Sequence, residues 1–168
     1  MKFLTLINFA VLLFTVVTTS AQSTIAHVES DSIIPKMVTY QYAMSELQAY
    51  TANLQKQFEG KEAELEAYYM DVTDKKKKGL LAPKEEKDAE AKLQEIQAKL
   101  QQFAQSMEGQ LMEKERGLMT SVYDEYNVAI KEVCKQSGYA YILDKKLILY
   151  SDGGIDATSK VKALIKTN

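Results

Sequence analysis

Tryptophan is absent from the 168-residue chain, and cysteine and histidine occur once each, as Cys134 and His27. A single cysteine excludes an internal disulfide, so Cys134 reads as a small apolar residue on a helix face, or at most a link to another chain. A single histidine excludes a histidine-rich zinc site, and a Cys/His nucleophile pair would need these two lone residues to converge. There is no glycine-rich phosphate loop and no Gly-x-Ser-x-Gly turn. A dominant charge is missing as well. With 21 basic and 23 acidic side chains the net charge is −2, which gives no support for nucleic-acid binding. The acids sit at helical spacings that pair with lysines. These absences exclude most catalytic chemistry: no enzyme, no metal and no cofactor is expected.

Long hydrophobic runs are confined to the start. Lys2 precedes an apolar stretch from Phe3 to Val17, interrupted by Thr5, Asn8 and Thr15, and Thr19-Ser20-Ala21 supplies small residues at a cleavage point before Gln22. The stretch is short for a membrane span of ~20 residues. Residues 1–21 therefore read as a cleaved secretory leader. Gln22 and not a cysteine stands directly after it, which excludes a lipid-anchored mature N-terminus. The product is expected outside the cytoplasm, as one domain of 147 residues with a net charge near −3.

Most of that domain carries a helical period. Stepping by four and three from Tyr40 gives Met44, Leu47, Thr51, Leu54, Phe58, Lys61, Leu65, Tyr68 and Val72, with only Thr51 and Lys61 polar. This is a narrow heptad seam. It stops at Asp74-Lys75-Lys76-Lys77-Lys78-Gly79-Leu80-Leu81-Ala82-Pro83, where lysines, glycine and proline end one helix and start another. The step resumes through Leu93, Ile96, Leu100, Phe103, Met107, Leu111, Glu115, Leu118, Val122, Tyr126, Ala129 and Val133. Residues 37–136 thus predict a long antiparallel helical hairpin with its tip at about 74–83. Gly138 suits the C-terminal cap of the second helix.

The two ends change period. Thr24 to Glu29 reads as a strand, Asp31 to Pro35 as a connector, and Pro35 suits a helix entry. Tyr139 to Leu143 and Leu147 to Tyr150 read as two strands of a hairpin around the turn Asp144-Lys145-Lys146. Ser151 to Gly154 reads as a loop. Asp156 or Thr158 can cap a last helix that presents Val161, Leu164 and Ile165. The predicted class is mainly α with a small β body, formed by residues 22–36 and 137–168. A few short strands leave bare edges and too little core. Closing the strands of several copies into one barrel-like body removes the edges, so an oligomer is expected.

Off the seam lie candidate contact residues. Tyr50, Tyr69, Met70, Met112 and Met119 offer adaptable or amphipathic surface. At the tip, Lys75, Lys76, Lys77 and Lys78 form a basic cluster, a candidate contact for anionic membrane surface or for a bound partner protein. Between Glu59 and Asp74 six acids face Lys61 alone. In a hairpin turning near Gly79 to Ala82, facing residues sum to about 161, so polar Thr51 meets Gly109 and Gln110. There Phe103, Met107, Leu111 and Glu115 are spaced four, four and four, a stutter that unwinds a coiled coil. Thr51 and Gly109 are accordingly the candidate hinge.

This arrangement resembles the Skp/OmpH family of periplasmic chaperones over essentially the whole mature chain. The resemblance is carried by the opening strand Ile25 to Glu29, by Ile130 to Val133 leading into Gly138-Tyr139, and by Tyr141 to Asp144 with Leu147 to Tyr150. The closing run Ile155 to Val161 resembles that family's terminal Asp-x-Thr segment. The resemblance implies a homotrimer with three tentacles that holds unfolded outer-membrane proteins between its arms, without ATP, in the periplasm. The departure is charge: well-known members are basic, and this chain is slightly acidic. A structural or tethering coiled coil of the cell envelope is the alternative.

Overall fold

A computed structural model describes residues 24–167; the expected leader over residues 1–21 lies outside them. Strand β1 (Ile25–Val28) is followed by a single helical turn, α1 (Ser30–Ile33), and a 3-10 turn (Ile34–Lys36). The stretch expected to be a plain connector is therefore wound, with Pro35 in the first turn of the 3-10 segment, where its missing N–H costs nothing. Helices α2 (Val38–Lys77) and α3 (Pro83–Ser137) follow. At 1.5 Å per residue they extend ~60 and ~80 Å. Strand β2 (Tyr141–Asp144), a second 3-10 turn (Lys145–Leu147), β3 (Ile155–Asp156) and α4 (Thr158–Leu164) complete the chain.

Each long helix is closed at its C-terminal end by a glycine in the left-handed region. At the tip, Gly79 has φ +66°, the Leu80 N–H donates to the Lys75 carbonyl at 2.9 Å and Gly79 N–H donates to Lys76 at 3.1 Å. This six-to-one and five-to-two pairing satisfies carbonyls that a helix end leaves bare. Ala82 N–H then donates to the Glu85 carboxylate at 2.8 Å and Pro83 opens α3. At the other end Gly138 has φ +67°, and Tyr139 N–H donates to Cys134 O at 3.1 Å.

The sheet differs from the expected hairpin. Its order is β2-β1-β3 and both pairings are parallel, with Ile25 beside Tyr141 and Ala26 beside Ile155. Leu147 to Tyr150 is not a strand. After β2 the Asp144 carboxylate accepts from Lys146 N–H at 3.0 Å, while Lys145 pairs with Glu29 and Lys146 with Asp31. These bonds wind the presumed turn residues into a 3-10 turn and lead the chain away from β2. Asp156, one of the two residues expected to cap the last helix, forms the third strand with Ile155. Asp156 still accepts from Thr158 N–H at 2.8 Å at the start of α4.

The core lies where the sheet, α1, α4 and the root of the hairpin meet. Ile33, Met37, Val122, Val133 and Val161 are its largest fully buried side chains. Val38 N–H donates to Lys166 O at 3.1 Å, and Met37 bridges Thr167, so the chain's last residues clamp the start of α2. Beyond the root the hairpin is only two helices thick, and Leu54, Ala89 and Ile96 alone of the apolar residues there are buried. One seam residue is displaced: Ala43 is buried where the heptad step predicted Met44, which is 44% exposed. A small side chain at that level lets α2 sit close to the core.

Tyr126, packed against this core, has its phenol pushed up to about 12 by burial, with a smaller contribution from Asp144. The folded chain therefore keeps a proton that the unfolded chain loses near pH 10. Stability should be flat on this account below pH ~10 and fall as pH rises from ~10 toward 12. Urea midpoints across that range should drop less steeply in Tyr126→Phe than in the parent. Parallel curves would remove Tyr126 as the source.

Candidate functional site

The register of the hairpin is fixed by side chains that cross it. Lys114 lies 3.8 Å from Glu46, Tyr50 donates to Gln110 at 3.3 Å, Lys61 lies over the Phe103 ring at 5.2 Å, and Lys76 reaches Glu86 at 3.2 Å. Facing residue numbers sum to between 160 and 164, so the two helices stay in step along the arm.

The five off-seam candidates separate into two groups. Tyr69 and Met70 are each 59% exposed and Met112 is 64% exposed, on the outside of the arm. Tyr50 and Met119 are engaged. Tyr50 is held by Gln110 and lies 5.6 Å from the Lys114 ammonium, and Met119 packs on the root of the core.

At the hinge level Thr51 is exposed and donates to its own helix, to Leu47 O at 2.8 Å. Such back-bonding loosens and bends helices. Gly109 lines a groove of about 660 Å³ together with Tyr50, Gln110, Lys114 and Gly117, and a Cβ added at Gly109 would meet nothing within 4 Å.

The tip lysines are largely neutralised in place. Lys75 pairs with Asp71 at 2.7 Å, Lys78 with Asp74 at 2.6 Å, and Lys76 with Glu86 and Glu90 at 3.2 and 3.5 Å. The hydrogen bond to Asp71 raises the Lys75 pKa and that to Glu86 raises the Lys76 pKa. Lys77 makes no ion pair among the described residues. Between residues 71 and 90 six lysines stand beside six acids. The local field is therefore weaker than the lysine run suggests.

Sequence reasoning looked for contact residues off the seam and missed what the seam itself offers. A two-helix hairpin covers much of its seam from one side only, so Leu47, Leu65, Leu93 and Leu100 remain half-buried and floor open grooves. One groove, of about 530 Å³, is lined by Glu62, Leu65, Glu66, Tyr69, Leu93, Gln97 and Leu100. Another, of about 870 Å³, runs along α2 over Tyr40, Met44, Leu47 and Thr51. The readable signal was the alternation of acids with seam positions at i+3 and i+4.

At the root, Ser30 donates to the Asp144 carboxylate, and this bond, ahead of all other influences, lowers the Asp144 pKa. The Glu29–Lys145 and Asp31–Lys146 pairs lie beside it. Together they tie β1 and α1 to the end of β2.

Open apolar floors, exposed rings and flexible thioethers along a long hairpin are the equipment of a protein that works by contact. No described helix is long and apolar enough to cross a membrane. The family described as outer membrane protein (OmpH-like) matches residues 24–165, and the chain belongs to that family. Among solved structures, that of a proposed outer membrane chaperone (OmpH-like) from Caulobacter crescentus CB15 is similar with a TM-score of 0.72. The likeness covers 88% of this chain and 89% of that one at 19% identity, which speaks for the fold. No curated protein matches.

Proposed function

We propose that the mature chain is a periplasmic holdase that captures unfolded outer-membrane proteins between the arms of a homotrimer, without ATP. The observation that carries this reading is the bare β surface at the base. Leu147, Leu149 and Tyr150 are 77%, 103% and 83% exposed, and Ile25, Tyr141 and Leu143 leave one side of the sheet uncovered. Apolar residues of strand composition left uncovered among the described residues are suited to contact with another copy. Joining three such bodies, residues 22–36 and 137–168 of each, would leave three hairpins, residues 37–136, enclosing one space. The leader of residues 1–21 would deliver the chain across the inner membrane and be removed after Ala21.

Client contact is assigned to Tyr69, Met70 and Met112, which are exposed, with Tyr50 and Met119 available where the hairpin opens. The test is direct. A denatured outer-membrane protein diluted into stoichiometric mature protein should remain in solution, read by light scattering. Aggregation at the rate seen without it would overturn the reading and leave a spacer or tether.

Thr51 and Gly109 are proposed as the level at which the arm bends to fit clients of different size. Gly109→Ala with Thr51→Leu should stabilise the helices locally by ~1 kcal/mol, slow hydrogen exchange of residues 105–115 about fivefold, and weaken the holding of large clients more than small ones. Alanine has room there, so a clash cannot mask the effect. Exchange near Gly109 already as slow as near Leu93 to Leu100 in the parent would remove the hinge.

Lys75 to Lys78 are proposed as a weak contact for anionic membrane. Changing all four to glutamine should leave client holding intact and reduce binding to anionic vesicles, an effect screened beyond ~8 Å at physiological salt. Equal vesicle binding by both forms would refute a role for the tip.

A further inference from the structure

The geometry points to the groove between Leu65 and Leu93 as a docking site for apolar client segments flanked by lysine or arginine. This rests on the holdase reading above and names the chemistry of the segments that the arm takes. Leu65, Leu93 and Leu100 form a half-buried floor between the helices, and the Tyr69 ring stands exposed at one end. Glu62 and Glu66, one turn apart on α2, line the same groove, and both are exposed.

What leaves the rim acidic is that the two lysines of the facing helix at the level of the groove, Lys92 and Lys99, are already paired. Lys92 and Lys99 both converge on Glu95, at 3.1 and 2.6 Å, and those two bonds hold the Glu95 carboxyl below its usual range. Lys61 is turned over the Phe103 ring. Glu62 and Glu66 therefore make no ion pair among the described residues. Over the same length of arm α2 carries six acids and Lys61, while the facing stretch, residues 87–102, carries three lysines and three acids. The field at the groove is negative, and an unpaired carboxylate pair beside an apolar floor selects an aromatic or leucine anchor with a cation on either side. A tyrosine ring at the end adds a face for one of those cations. An acidic segment would meet the same floor with repulsion at both edges.

The experiment uses the full mature protein and two fluorescent nonapeptides sharing a Leu-Phe-Leu centre, one flanked by lysine pairs and one by glutamate pairs. Anisotropy titration at low salt should show the lysine peptide binding about tenfold tighter, the size expected of a few exposed charge contacts. Glu62→Gln with Glu66→Gln should bring the two peptides within about twofold of each other, and so should roughly 1 M salt. Tyr69→Ala, at an exposed position, should weaken both peptides. Equal binding by the parent, a preference for the glutamate peptide, or no binding of either overturns the proposal. If aggregation of denatured clients is still suppressed in that case, holding stands and only the groove's selectivity falls. If suppression fails as well, the holdase reading falls independently.

Discussion

Ile33→Ala is expected to lower the free energy of unfolding by about 2–5 kcal/mol, a large share of the roughly 5–15 kcal/mol that holds a domain together. Ile33 is fully buried. It sits in the one helical turn between β1 and the root of the arm, in the same cluster as Met37, Val122, Val133 and Val161. The turn is pinned at both sides, by Ser30 on Asp144 and by the clamp of Lys166 on Val38, so it cannot settle into the space that a removed side chain leaves. The contrast is Met112→Ala, on the outside of the arm, which should stay within about 0.5 kcal/mol. Urea unfolding of both variants decides the matter. A loss below 1 kcal/mol for Ile33→Ala would mean that the body is not where the chain's stability resides.

Leu149→Asp combined with Tyr150→Asp is expected to abolish assembly while leaving the subunit folded. Both side chains lie in solvent in the single chain, so their replacement removes nothing that the subunit uses. In the proposed body each would be covered by a neighbouring copy, and burying a side chain of this kind is worth about 1.5–3 kcal/mol. Three copies lose that contribution at three places, and two buried carboxylates add a further penalty at each. Light scattering should report a mass falling from three chains to one, with the far-ultraviolet dichroism unchanged. An unchanged mass would place the contact between copies elsewhere on the body. A lost helical signal would show that Leu149 and Tyr150 support the fold itself.

The arm was legible because its information is local and repeated. A seam residue every three or four positions, a glycine and a proline at the turn, and Gly138 at the far end define three of the four helix ends to within a residue, and the facing sum near 161 follows from the turn; the first arm starts at Val38, three residues past the entry expected at Pro35. The body was harder because its pairings are distant. β1 lies beside β2 only after the whole hairpin has intervened, and no local pattern separates a parallel partner across more than a hundred residues from an antiparallel one across a turn. Leu147 to Tyr150 has the apolar composition of a strand, yet Asp144, Lys145 and Lys146 are drawn back to β1 and α1, Ile148 N–H closes the 3-10 turn on Lys145 O, and among the described residues the run joins no sheet. β3 has two residues, too few to show any period. The exchange of Met44 for Ala43 reflects close approach of α2 to the core, which a heptad count does not contain. The acidic groove escaped for a different reason. Its floor was assigned wholly to helix pairing, although two helices cannot cover a seam from both sides.

The most direct measurement of the central claim is the mass of the complex formed when a denatured, tryptophan-containing outer-membrane protein is diluted into the mature chain without nucleotide. The chain has no tryptophan, so the client's emission can be followed in the same sample. Three copies of the chain for one client, with the client's emission still that of a chain without fixed tertiary structure, is the result the account predicts. A client that precipitates at its unassisted rate, with the chain left free in solution, would contradict it.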